Sequence, residues 1–431
     1  MTFSSRFALW LIPSLAITGC ASKNPNEPLF RAAARELPQA EAEAAKVGLK
    51  YTAAQMVRNV PEAQNAARWY RRGCTEIENL RGTKAFDSFR ESMPLESLSL
   101  PKAQSLLKEA SLAFNEFERG LPLPHCDWRR DYSRGVAMLM PEDAPIKACA
   151  KLYCLRARVE AYEGDYQSAG ADLKRVARLE GHLAEQPTLI DLIVASALQA
   201  TATRTAEEII TDAGGNPNCA KILLEAMKTF APKVDPRDAI PQEATMAWES
   251  FSYWYSKNFR AENVFAQESS DPSAKSISGI DSGLLANAFR ARLLQYYSEA
   301  CVISGNPSDS DRVRWDKLVK PVRREQIGDA TYSMNKVYAE AWDSHFGLSS
   351  RARQEVILVG LEILASSTPD GRALASKQLD PFTGNPLRFI QKPGGFIVYS
   401  VGKNLEDDHG SSKSPADDIA FEYPYKPPVV K

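Results

Sequence analysis

An imbalance of charge is the first thing this sequence lacks. Its 53 Lys and Arg against 54 Asp and Glu leave a formal net charge of −1 at pH 7. A near-neutral chain offers no bulk electrostatic argument for nucleic acid or an acidic surface as partner. Histidine is scarce, with His125, His182, His345 and His409 making up the four. There is no Cys-x-x-Cys, no Cys/His zinc spacing, no P-loop, no Gly-x-Gly-x-x-Gly and no His-Glu-x-x-His. The nearest approach to a Gly-x-Ser-x-Gly elbow, Gly279-Ile-Asp-Ser-Gly283, has its serine one position late. Long apolar runs are missing too. The best internal candidate, Thr188 to Ala202, carries Asp191 and Gln199 and is shorter than the ~20 apolar residues that span a bilayer.

What is present begins with a targeting segment, MTFSSRFALWLIPSLAITGCAS. Arg6 supplies a positive start, Phe7 to Ile17 a short apolar stretch, and small residues lead to Cys20. This composition predicts export rather than a permanent membrane helix. Ile17-Thr18-Gly19-Cys20 resembles the lipobox of bacterial lipoproteins. The resemblance implies that residues 1–19 are removed and that Cys20 is acylated. Several acyl chains, at ~0.8 kcal/mol per buried CH₂, make a firm anchor. Ala21 follows the cysteine where an Asp would imply inner-membrane retention, so the expected address is the periplasmic face of the outer membrane. Residues 20–28 read as a lipidated tether.

Six further cysteines, Cys74, Cys126, Cys149, Cys154, Cys219 and Cys301, are compatible with disulfides in an exported protein or with buried thiols. A Cys149–Cys154 bridge is disfavoured. On one helix, five residues turn the chain by about 140° and rise about 7.5 Å, whereas a disulfide needs Cα atoms within about 7 Å and converging Cβ vectors.

From Pro28 to Ser366 the apolar spacing is helical, so the predicted fold class is mainly α. Helices are predicted from Pro61 to Leu80, Pro101 to Glu118, Ala148 to Glu163 and Tyr166 to Leu179. Another, opened by Gln186-Pro187, ends at Gly214-Gly215. Glu243 to Lys257 places Trp248, Phe251 and Tyr255 on one face; Leu285, Phe289, Leu293 and Tyr296 form a second stripe. A last long helix is predicted from Ser350 to Ala365. The sequence thus divides into a helical region at 29–266, a serine-rich loop at 267–282, further helices at 283–366 and a different ending at 367–431. Within residues 148–179, Ala157, Gly164, Asp165, Tyr166, Ala169 and Leu173 resemble a tetratricopeptide unit, two antiparallel helices around a Gly-Asp turn. No second copy follows at the ~34-residue period of that repeat. A single helical hairpin is therefore expected.

In the ending, Leu387 to Ile390 and Phe396 to Val401 read as strands around a turn at Gln391 to Gly395, with Ile419 to Phe421 as a third short strand. Asp380-Pro-Phe-Thr-Gly-Asn-Pro-Leu-Arg-Phe389, then Tyr399-Ser-Val-Gly402 and Asp418-Ile419, resembles the C-terminal portion of the major pseudopilins of type II secretion. That family follows a long helix with this order of motifs and a calcium-binding loop. The resemblance implies a hairpin packed on the preceding helix and a Ca²⁺ site whose matching positions here are Asn404 and Asp418, with Asp407, Asp408 and Asp417 crowding the loop. Ca²⁺ takes roughly six to eight oxygens, and close carboxylates repel one another until a cation relieves them. Two positions depart from the family. Asn404 stands where it has an acidic ligand, and Leu405 where it has glycine. The whole chain also resembles uncharacterised bacterial envelope proteins that join a helical region to the same ending.

Three further stretches carry residue types that could do chemistry. His125 beside Cys126 and Asp127 sets a thiol next to a base, but chain neighbours rarely face each other and the prolines at 122 and 124 favour a structural turn. His182-Leu-Ala-Glu185 could put two metal ligands on one helical face. Arg68-Trp69-Tyr70-Arg71-Arg72 mixes basic and aromatic groups as single-strand-binding sites do, yet at helical spacing the aromatics are expected in the core, and no nucleic-acid partner is expected. The expected function is a lipid-anchored, non-enzymatic interaction or scaffold protein with a protein partner in an envelope or secretion assembly. The alternatives are an envelope hydrolase acting on glycan or peptide through dispersed carboxylates, or a periplasmic ligand-binding protein.

Overall fold

The computed structural model describes residues 27–83, 86–87, 99–185, 187–230, 236–256, 280–304, 345–366, 370–411 and 417–424. Cys20, the signal and most of the tether lie outside the described residues, as do most of the serine-rich loop and the proline-rich tail beyond residue 424. The fold is mainly α, built of packed helical hairpins, and closes with a small three-stranded antiparallel sheet. Two compact units emerge, each assembled from separated stretches: residues 1–58, 129–139 and 236–344 in one; 59–128, 140–235 and 345–431 in the other.

In the first unit, α1 (Glu27–Arg35) and α2 (Leu37–Lys46) pack on a long helix at Ser282–Ser304, while Ile240–Ser256 packs against a 3-10 turn at Tyr132–Ala137. Phe30 and Ala33 from α1 meet Leu285 and Ala288 in the core, with Phe30 edge-on to Phe289 at 5.9 Å. Leu285, Leu293 and Tyr296 are buried and Phe289 is half-buried, as their stripe predicts. Of the other stripe, the side chain of Trp248 is described, and it is buried; those of Phe251 and Tyr255 lie outside the described residues.

The second unit begins with α3 (Ala67–Asn79), α4 (Leu100–Glu109) and α5 (Ser111–Gly120). The helix expected from Pro101 to Glu118 is two helices broken at Ala110, whose ψ of 0° departs from helical geometry. No Gly or Pro marks that break, so local chemistry does not announce it. Helices α3 and α5 touch closely because Gly120 and Gly73 lack a Cβ. One built on Gly120 would lie 2.6 Å from the Tyr70 ring, and one on Gly73 would lie 2.5 Å from Phe117.

The hairpin of α6 (Asp143–Tyr162) and α7 (Tyr166–Leu183) turns at Gly164-Asp165, and the Asp165 carboxylate caps α7 by accepting from Ser168 N at 3.0 Å. Ala157, Ala169 and Leu173 are fully buried between the two helices. Thr188 and Asp191 form a reciprocal capping box that opens α8 (Leu189–Asp212). Asn216 caps α9 (Pro217–Met227). A later helix at His345–Ala365 packs on α8 and α9 and carries the sheet.

The sheet order is β1 (Arg388–Lys392), β2 (Gly395–Ser400), β3 (Ile419–Tyr423). The turn is shorter than expected. Gln391 and Lys392 pair with Phe396 and Gly395, leaving Pro393-Gly394 as a two-residue connection. Fully buried Phe421 of β3 sits against Gly360, where a Cβ would collide with its ring.

Candidate functional site

The ending is held by carboxylates, each with a different task. Asp380, 2% exposed, accepts from Ser400 Oγ at 2.9 Å, Val401 N at 3.0 Å and Phe382 N at 2.9 Å. It therefore ties the Asp-Pro-Phe run to the end of β2. Asp407 turns toward the sheet, where Arg388 of β1 and the Tyr399 hydroxyl (2.9 Å) donate to it, together with its neighbour's His409 N at 3.1 Å. Asp408 Oδ2 accepts from Asn404 Nδ2 at 2.9 Å and Asp417 N at 3.3 Å, and Asp417 Oδ1 accepts from Asn404 N at 3.4 Å. Asp418, 1% exposed, accepts from Gly410 N at 2.7 Å through Oδ2. Its Oδ1 is buried with no hydrogen-bond partner. Burial pushes the Asp418 carboxyl up; the backbone N–H groups of Gly410 and Asp408 pull it back, and the smaller effects of the Asp408 and Arg388 charges oppose one another.

Measured against Ca²⁺, these residues differ. Among the described residues no three His, Cys, Asp or Glu side chains converge as metal ligands. Asp407 is committed to Arg388 and Tyr399. What remains for a cation is the orphaned Asp418 Oδ1, with Asp408, Asp417 and Asn404 linked to one another beside it.

A second charged cluster, without any local sequence signature, lies inside the α5–α6–α7 packing. Fully buried Asp172 receives a two-pronged Arg156, with Nε and Nη2 both at 2.6 Å, and Arg175 Nη1 at 2.6 Å. Arg156 also reaches Glu118 at 3.0 Å, and its guanidinium stacks on Phe114 at 4.3 Å. Glu160 stands 3.9 Å from Arg156; burial first, and the Asp172 charge second, push it up to about 7. On α8, burial pushes Glu207 up to about 8, opposed by the charge of Arg353.

The two histidine motifs resolve as staples. His182 is 2% exposed, with Nδ1 at 2.6 Å from the Tyr70 hydroxyl and Nε2 at 3.0 Å from the Leu123 carbonyl. Both ring nitrogens are occupied, so His182 and Glu185 share no metal. Glu185 instead meets His125 Nδ1 at 2.7 Å and accepts from Cys126 N at 2.7 Å, locking the proline-rich connection. Cys74, Cys149, Cys154 and Cys219 are buried thiols, with Cys149 and Cys154 on one helix. Burial pushes Cys74, Cys154 and Cys219 up to about 12 and Cys149 well up, which leaves them poor nucleophiles.

The fold and its sites thus define a helical-hairpin protein with a small β module bound to its last long helix. No protein family, curated protein or solved structure matches the chain. No helix among the described residues is long and apolar enough to cross a membrane.

Proposed function

We propose that this chain is a lipid-anchored protein of the periplasmic face of the outer membrane, acylated at Cys20, whose helical body is a non-enzymatic interaction or scaffold module for a protein partner. One observation supports the non-enzymatic reading over a hydrolase. An acid and a base must face one substrate, yet Glu160 answers to Asp172, Arg156 and Arg175, while Glu207 answers to Arg353, Glu208 and Arg204. Glu160 and Glu207 thus face different sets of charged neighbours on different helices. The C-terminal module, in keeping with its pseudopilin-like motifs, serves as a packing unit. Ca²⁺ in its loop would be held by Asp418 with Asp408, Asp417 and Asn404, where it would neutralise neighbouring carboxylates.

Proximity labelling in intact cells tests the scaffold reading. Recovery of one reproducible envelope protein is the expected result, and labelling no different from a secreted control would overturn it. Acyl-label incorporation that Cys20→Ala abolishes tests the anchor separately.

A further inference from the structure

Three guanidinium groups surround one indole ring on α3 and α5. The Cζ of Arg119 lies 3.6 Å from the Trp69 ring centroid, that of Arg68 4.3 Å and that of Arg72 5.0 Å. Arg68, Trp69 and Arg72 share α3, and Arg119 comes from the last turn of α5. The close helix contact at Gly120 and Gly73 brings these pieces together. Tyr70 takes the core position expected of it, while Trp69 stays half-buried and the three arginines are exposed. Glu116 offsets Arg119 at 3.3 Å. Among the described residues Arg68 and Arg72 have the indole, and no carboxylate, beside them.

A guanidinium lying flat on an aromatic ring keeps its N–H edge for oxyanions, which it can grip in a fork. Gathering three cations on one ring costs repulsion that an anionic ligand would relieve. Leu112, 62% exposed, lies seven residues before Arg119, which is two turns along the same face of α5. An apolar side chain, an indole and unpaired arginines on one face match the layering of a bilayer surface, with apolar boundary, headgroup level and phosphate. We propose that this face docks on an anionic membrane surface, with Arg68, Arg72 and Arg119 binding the phosphodiester headgroups around Trp69.

The proposal is independent of lipidation, and its test removes the anchor so that the two can fail separately. Residues 21–431, which carry neither the apolar signal nor the acylated cysteine, would be sedimented with phosphatidylcholine vesicles and with vesicles containing about one-third phosphatidylglycerol. Binding to the anionic vesicles alone is expected. Two arginines near such a surface predict a loss of about 30-fold in Arg68→Gln/Arg72→Gln. Arg68→Lys/Arg72→Lys keeps the charge but not the fork and is expected to bind between the wild type and the glutamine variant, which also guards against misreading a misfolded variant. Equal binding to neutral vesicles, or an unchanged glutamine variant, would overturn the proposal. So would binding of inorganic phosphate or single-stranded DNA in place of vesicles.

Discussion

The Tyr70 hydroxyl on α3 and His182 Nδ1 on α7 lie 2.6 Å apart in the core, 112 residues apart in sequence. With Nε2 donating to the Leu123 carbonyl, Nδ1 is the acceptor and the Tyr70 O–H the donor, so the imidazole is neutral. Burial first, and the Arg178 charge second, push His182 from 6.5 down to about 4. The unfolded chain takes up a proton below 6.5, the folded chain only near 4. Stability present at neutral pH is therefore lost as pH falls through that window, on the order of 3 kcal/mol. Urea midpoints between pH 7 and about pH 4.5 should fall more steeply in the wild type than in His182→Gln; parallel slopes would refute the assignment.

Glu160 runs the other way. Its folded value of about 7 lies above the ordinary 4.5, so its contribution is full below 4.5 and is lost as pH rises through 7. Glu160→Gln should raise stability at pH 8, by something on the order of 2 kcal/mol, and change little at pH 4.5. Chemical denaturation at the two pH values reads this directly.

Asp172 is the buried counter-charge of two arginines. Asp172→Asn leaves both arginines to the less buried Glu118 and should cost about 3 kcal/mol, the low end for breaking a buried pair. Replacing the pair together, Arg156→Met with Asp172→Leu, should cost less than the single change. A double-mutant cycle in urea measures the difference, and simple additivity would mean the pair contributes no coupling.

Leu405 has φ +62°, a left-handed conformation at the position where pseudopilins have glycine. Leu405→Gly should stabilise the module by ~1 kcal/mol, since leucine pays a steric cost there that glycine does not. A lowered melting temperature would show that the half-exposed leucine contributes more by packing.

Calcium has one clean readout. If Asp418 Oδ1 meets a cation, millimolar Ca²⁺ should raise the melting temperature over chelator and over Mg²⁺, and Asp418→Ala should remove that rise. Asp407→Asn should retain it, because Asp407 faces Arg388 and Tyr399. No rise in the wild type would leave the loop as a hydrogen-bonded turn.

Much of the fold was legible locally. The Gly164-Asp165 turn and the Gly214-Gly215 stop follow from backbone chemistry within a few residues, and the buried positions at Leu285, Leu293 and Tyr296 follow from a 3.6-residue period; the helix expected to open at Gln186-Pro187 instead starts at Leu189, capped by Thr188. The candidate site was only partly legible. Five oxygen-bearing residues could be read off one loop, but not that Asp407 would turn away to β1 while Asp418 kept an oxygen unpaired.

What the sequence determined by itself was the mainly helical class, most of the helices and the change to strands at the end, because periodicity, caps and turn residues act over a handful of positions. Tertiary structure alone decided which faces met. It set Arg156 against Asp172 and Glu118, gave His182 to Tyr70 rather than to a metal, and built each unit from separated stretches of chain. Those pairings depend on long-range burial and charge compensation, and charged residues on helices carry no local mark of whether their partner will be water or one another.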